Sequence, residues 1–331
     1  MPEHKPRARA STRRGRLARA CVAWAAVAAA GGCATRPLEL GSDAALAAAV
    51  ANVNGAGAEV VVAVGDVARC GRLQHAAATA RVAAAVVARF PNTRVLTVGD
   101  HAYPRGTQRQ FERCYEPTWG EHNARTAPSP GNHDYKTAAG APFFDYFELF
   151  DREATARERG YYGFALDEWQ IVALNSMIAI EAAAPQLAWL TRELEAANAR
   201  CILAYWHHPR WSSSAHGRQR GDRGRDTAEL WDTLAAHGAE IVINGHAHMY
   251  ERFAPQTTSG AATERGIRQF VVGTGGASLD AAFRPLPNSE YLNADVHGVL
   301  VIVLHAASYE WNFIGVDGVV HDESAAPVDC R

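Results

Sequence analysis

No internal repeat is evident in these 331 residues, which argues against a solenoid or propeller array. Nor is there a large excess of either charge: 33 Lys/Arg stand against 35 Asp/Glu, a formal −2. The cations are concentrated at the start, where Lys5, Arg7, Arg9, Arg13, Arg14, Arg16 and Arg19 are opposed only by Glu3. Without residues 1–32 the chain loses those seven cations and one acid, and its formal charge becomes −8. A chain that acidic has no electrostatic footprint for nucleic acid. Cysteine is scarce, six in all, and Cys21 and Cys33 belong to the first segment. The apolar stretch that follows the basic one, Ala20 to Gly32, is too short to cross a bilayer.

A basic stretch, a short apolar one and small residues before a cut site describe a secretory signal. Ala30-Gly31-Gly32-Cys33 resembles a bacterial lipobox, in which the cysteine becomes the lipidated N-terminus, with Ala where a larger aliphatic is usual. The Arg13-Arg14 pair resembles a twin-arginine signal, with Arg16 in place of an apolar residue. Residues 1–33 are therefore expected to be an export or lipoprotein signal. That places the protein in the periplasm or at the cell surface, with membrane contact only through a lipid on Cys33. Residues 34–58 are Ala/Gly-rich and read as a linker with room for one short helix. Residues 59–331 read as one domain. Its four cysteines, Cys70, Cys114, Cys201 and Cys330, suit an oxidising compartment. Three pairings are open, as are four buried thiols; Cys70 with Cys114 and Cys201 with Cys330 joins neighbouring segments.

Four short apolar runs end directly in residues that bind metal. Glu59 to Gly65 runs into Asp66, Arg94 to Gly99 into Asp100, Cys201 to Trp206 into His207-His208, and Glu240 to Gly245 into His246-Ala247-His248. Runs of this length and Val/Ile content read as buried strands. Ligands of open α/β sheets gather at the carboxyl ends of such strands, so these side chains are expected to converge. Leu73 to Phe90 has helical spacing and makes Val60 to Val98 a βαβ unit with a parallel strand pair. Tyr161–Leu166 and Trp169–Asn175 read as a hairpin, Pro185–Ala197 as an amphipathic helix, and the last third as strand-rich. The fold class is α/β, with two packed mixed sheets, a β-sandwich flanked by helices.

Asp66, Asp100, Asn132, His207, His246 and His248 form a set of oxygen and nitrogen donors. Carboxylate with imidazole suits Fe, Mn or Zn better than Ca. Glycines 65, 99, 131 and 245 precede four of these positions and permit tight turns. One carboxylate bridging two cations would hold them about 3.5–4 Å apart.

Asp66, Gly99-Asp100-x-x-Tyr103, Gly131-Asn132-His133-Asp134, His207 and Gly245-His246-x-His248, in that order, resemble the calcineurin-like metallophosphoesterases. The match covers about residues 59–315. Most of that superfamily begins with Asp-x-His, whose His is a ligand; here Asp66-Val67-Ala68 has alanine. The purple acid phosphatase branch lacks that His as well and uses a Tyr three residues after the bridging Asp, the position of Tyr103.

The resemblance implies the four-layer metallophosphoesterase fold and two metal ions, Fe(III) and a divalent Fe, Zn or Mn. The first ion would take Asp66, Tyr103, His248 and bridging Asp100; the second Asp100, Asn132, His207 and His246. His133, and His216 nine residues past His207, would serve catalysis as phosphate contact or general acid. The implied reaction is hydrolysis of a small-molecule phosphate ester, in an acid-phosphatase-like phosphomonoesterase, by hydroxide held on the metals and attacking phosphorus in line. Two other readings stand beside it: a phosphodiesterase acting on nucleotides or lipid headgroups, and a non-catalytic surface lipoprotein that binds phosphorylated ligands. His208 is divided between supporting a ligand and a structural role. His101, His122, His297 and His305 read as core or solvated imidazoles. The Arg-rich stretch Ser212 to Asp226 reads as a solvated loop, and Gly273-Thr274-Gly275-Gly276 as a turn able to cradle phosphate.

Overall fold

The computed structural model describes residues 38–147, 159–181, 184–214, 227–281 and 284–331. Two seven-stranded mixed sheets dominate it. The first runs β15 (Val320–Glu323), β14 (Ser308–Gly315), β13 (Gly298–Leu304), β1 (Glu59–Val64), β3 (Arg94–Val98) and β5 (Thr126–Ser129), with β16 (Val328–Asp329) also paired to β14. The second runs β12 (Ser289–Asn293), β10 (Tyr250–Phe253), β11 (Arg268–Val272), β9 (Ile241–Asn244), β8 (Cys201–Tyr205), β7 (Trp169–Ala173) and β6 (Tyr162–Leu166). A two-residue ladder joins β2 (Ala68–Arg69) to β4 (Ala102–Tyr103) in parallel.

Every strand expected to end in a ligand is present: β1, β3, β8 and β9. β1 and β3 are parallel, with the helix Leu73–Arg89 between them as the βαβ pattern requires. β8 and β9 are a parallel pair in the other sheet. One face of each sheet meets the other in a shared core. Val61 and Ala63 of β1, Leu96 and Val98 of β3, Leu203 and Tyr205 of β8, and Ile241 and Ile243 of β9 are buried there together. Period-2 alternation sends Val60, Val62 and Val64 to the opposite face, where they pack with Ala76, Val82 and Val86 of the helix. A matching layer covers the second sheet. Leu187, Leu190 and Leu194 of the helix Pro185–Ala196 lie with Leu230, Trp231 and Leu234 of Ala228–Ala236. The result is helix, sheet, sheet, helix, the four layers expected.

Disulfides link Cys70 to Cys114 and Cys201 to Cys330, the pairing that joins neighbouring segments. Within the 34–58 segment, Asp43–Ala51 is a helix capped by the Ser42 hydroxyl. It buries Leu46, Ala49 and Val50 in the outer core of the first sheet. The compact unit accordingly begins at Leu38.

Candidate metal centre

β1 and β3 of one sheet and β8 and β9 of the other end on the same side of the sandwich, and their following residues meet. Asp66, Asp100 and His207 bring one donor atom each within 4.8 Å of one another, all buried. A second trio at the same separation is His207, His208 and His246. Three of the donor positions carry their own turn: φ is +61° at Asp66, +57° at Asp100 and +70° at His246. Non-glycine residues held in this region cost free energy and cluster at functional sites.

The glycines before the ligands have a different purpose from the one expected. Only Gly99 of the four adopts positive φ. At Gly131 the need is close approach, because a Cβ there would lie 2.2 Å from Asp100 Oδ1.

The loop residues join the strand-end residues. The Tyr103 hydroxyl is 2.7 Å from Asp66 Oδ1, 3.0 Å from Asp100 Oδ2 and 3.1 Å from His248 Nε2. Asn132 Oδ1 lies 2.9 Å from His207 Nε2 and 3.0 Å from His246 Nδ1. His207 Nε2 is 3.5 Å from Asp100 Oδ2, and His248 Nε2 is 3.2 Å from Asp66 Oδ1. All seven residues expected as metal donors are thus brought together. His133 stands at the edge, its Nε2 4.0 Å from Asp100 Oδ2. His216 lies outside the described residues, as does most of the Arg-rich stretch.

Partners behind the donors fix their orientation. His207 Nδ1 faces the Val98 carbonyl at 2.9 Å and His248 Nδ1 the Ser278 carbonyl at 2.8 Å. A carbonyl only accepts, so each Nδ1 carries the proton and Nε2 is presented to the site. Asp134 had no assigned role in the sequence. Its carboxylate accepts from the backbone N–H of Asp100, His101 and Gly131 and faces His101 Nδ1. It thereby ties two donor-bearing turns together. His208 Nδ1 is 2.8 Å from the Ser176 hydroxyl, which also accepts from the His208 N–H. Asp280 accepts from the His248 N–H.

The remaining imidazoles behave as read: His101 bonds Asp134 and Thr97, His122 the Ala80 carbonyl, His297 the Thr274 carbonyl and His305 Glu310. Two N–H groups of the Gly273–Gly276 turn are engaged by backbone carbonyls. Gly273 and Gly275 donate to the carbonyls of Met249 and Gly65, so the turn buttresses the Asp66 loop.

The electrostatics favour a cation. Burial raises the Asp100 pKa, but His207 and His133 outweigh it and hold the carboxyl well below its usual range. Burial likewise opposes a charge on His207 and His248; Asp100 and Asp66 respectively overcome it and lift each to about 9. Burial, then the Asp100 and Asp66 charges, push Tyr103 well above its ordinary value. A single hydroxyl proton cannot serve both carboxylates that crowd it. A hard cation on the phenolate relieves all three oxygens at once. The donor chemistry fits metal binding.

A family model described as calcineurin-like phosphoesterase matches residues 39–250, more than half of the chain. Purple acid phosphatase 15 of Arabidopsis thaliana is 28% identical over 190 residues, 48% of this chain and 35% of that protein. Purple acid phosphatase 1 of Ipomoea batatas is 26% identical over 174 residues, 48% of this chain and 36% of that protein. The chain thus spans about a third of the length of these curated relatives. Among solved structures, a purple acid phosphatase from yellow lupin (Lupinus luteus) seeds superposes with TM-score 0.64 at 18% identity, covering 81% of this chain and 53% of that one. The anchor protein GAP50 of the Plasmodium inner membrane complex gives TM-score 0.61 at 13% identity, covering 82% and 89%. At such identities these two likenesses establish the fold.

Proposed function

The chain belongs to the calcineurin-like phosphoesterase family, and on that premise we propose that it is a dimetal-dependent phosphomonoesterase of the purple acid phosphatase type. The observation that carries the reading is the Tyr103 hydroxyl, set against Asp66, Asp100 and His248. It occurs in a chain whose Ala68 removes the histidine donor usual in the superfamily. Asp66, Tyr103, His248 and Asp100 would hold one ion; Asp100, Asn132, His207 and His246 the other. The pair, when bound, supplies Lewis acidity toward phosphoryl oxygens and activates water for in-line attack.

The protein's own contribution is to orient and to move a proton. The Val98 and Ser278 carbonyls hold His207 and His248 in the tautomer that presents Nε2. His133 Nδ1 faces the Pro104 carbonyl at 2.7 Å, which leaves Nε2 on the side of Asp100, 4.0 Å from its Oδ2. There His133 contacts the phosphoryl group or, in its imidazolium form, hands a proton to the departing alkoxide; His216 is the alternative acid. In a metal-loaded preparation, wild type should hydrolyse a phosphomonoester and Asp100→Asn and His246→Ala should not. Failure of wild type on every phosphate ester tried, at any loading with iron, zinc or manganese, rules the reading out.

Export is part of the proposal. The basic and apolar segments of residues 1–33 support it, as do two disulfides in the described domain. No described helix is long and apolar enough to cross a membrane. Mass spectrometry of the mature N-terminus should find it at Cys33, with a lipid mass added if the anchor is used.

A further inference from the structure

We propose that Lys136 is a substrate-binding residue of this centre, its ammonium contacting the phosphoryl oxygens of the bound ester. The proposal rests on the phosphoesterase reading above and extends it to a side chain that no metal requires.

Lys136 Nζ lies 2.8 Å from Nε2 and 3.0 Å from Nδ1 of His133. Nδ1 is already engaged by the Pro104 carbonyl, so Nε2 is the acceptor on that ring and Lys136 the donor. That same Nε2 looks across 4.0 Å to Asp100 Oδ2, at the heart of the donor cluster. The ammonium therefore stands beside the donor cluster, 2.8 Å from a ring nitrogen that is itself 4.0 Å from the central carboxylate. Lys136 is exposed, with His133 half-buried beneath it.

The placement is built into the backbone. His133 is the residue before the short helical turn Asp134–Lys136, which puts the two side chains on one edge. The Arg105 guanidinium donates to the Lys136 carbonyl at 3.2 Å, and the Thr137 hydroxyl donates to the Arg105 carbonyl at 2.7 Å. Between them Gly106 packs so closely that a Cβ would lie 2.7 Å from Asp134 Cα. The 104–106 loop and the 134–137 turn are one rim, and Asp134 fastens that rim to the Asp100 and Gly131 backbone.

Lysine suits the task. Its charge is compact, its three N–H donors rotate, and its flexible stem lets it exchange a ring nitrogen for a phosphoryl oxygen. That exchange trades a neutral acceptor for an anionic one, adding charge attraction to a contact whose donor is already cationic. The competing account is that Lys136 only caps the His133 ring, with no contact to substrate.

The test uses full-length, metal-loaded protein, with Lys136→Gln and Lys136→Arg beside wild type. Three quantities are measured: inorganic phosphate binding by calorimetry, steady-state kinetics on p-nitrophenyl phosphate, and metal content by elemental analysis. Lys136→Gln should weaken phosphate binding about tenfold or more, as loss of one charge-assisted contact does. KM should rise in parallel, with the loss falling on KM more than on kcat, and Lys136→Arg should recover most of it. Metal content should stay at the wild-type level. Phosphate affinity and KM within twofold of wild type in Lys136→Gln would overturn the proposal. So would a fall in kcat alone, which marks action through His133, or a loss of phosphate binding that tracks loss of metal. The calorimetric arm separates the two claims. Phosphate binding that depends on Lys136 in a protein without esterase activity sinks the enzyme reading and leaves this one standing. Esterase activity with Lys136-independent binding does the reverse.

Discussion

The Tyr103 hydroxyl lies 2.7 Å from Asp66 Oδ1, although the two residues are 37 positions apart and arrive from different strands. The parallel β2–β4 ladder sets Tyr103 opposite Arg69, three residues past Asp66, and so fixes this encounter in the backbone. A phenol placed among two carboxylates and an imidazole is expected to ligate a trivalent metal as phenolate. Iron-loaded, oxidised wild type should show a visible charge-transfer band, absent in Tyr103→Phe. A colourless iron-loaded wild type, or an identical band in the variant, would remove Tyr103 from the ligand set.

Asp100 is the donor assigned to both ions. It adopts φ +57°, a conformation that Asn also tolerates. Asp100→Asn should therefore keep the fold while removing the bridging charge. Metal content is expected to fall from two ions per chain to one or none. Ester turnover should drop by at least about a hundredfold, since even outer partners of metal ligands are worth about 10–100-fold. Elemental analysis and circular dichroism check this together, and two ions retained in a folded variant would refute it.

Asp134 is a buried carboxylate whose oxygens serve three backbone N–H groups and the His101 ring. Asp134→Ala strands those donors in the interior and should cost about 3–5 kcal/mol of stability. Asp134→Asn, which keeps one acceptor, should cost less. Urea denaturation gives both values, and a change under about 1 kcal/mol in the Ala variant would mean the turns hold without it.

His297 provides a pH dependence from outside the donor set, although the charge of His248 is among the influences on it. Burial, and then the neighbouring His75, depress its pKa from 6.5 to about 4. The unfolded chain takes up this proton below pH 6.5, whereas the folded chain resists until about pH 4. The stability linked to His297 is therefore complete above pH 6.5 and is lost as pH falls toward 4. The loss is on the order of 3 kcal/mol at most. His297→Gln should flatten the stability profile across that window, measured by urea melts at several pH values. An unchanged slope would place the acid sensitivity elsewhere.

The strand ends were legible because a buried strand announces itself in Val/Ile runs and hands its last residue to the sheet edge. Asp66, Asp100, His207, His246 and His248 follow from that alone. Asn132 was marked only by its place after a glycine in the ordered donor set, and Tyr103, in the two-residue strand β4, only by the resemblance to a family. The supports were not legible at all. Ser278 reaches His248 across 30 residues, Ser176 reaches His208 across 32 and Pro104 reaches His133 across 29. Each pairing uses a backbone carbonyl or a hydroxyl that any loop could supply. The helix Asp43–Ala51 was masked in another way, because alanine on every face gives no apolar stripe, and the Ser42 cap was its one strong signal.

The central claim is that these donors hold two ions and that both are needed to cleave a phosphate ester. Its most direct measurement is a metal titration of chelator-stripped wild type, following phosphate release from a phosphomonoester. The account predicts no turnover without metal, and activity that saturates at two ions per chain. Turnover in the stripped protein, saturation at a single ion, or no turnover after two ions have bound would contradict it.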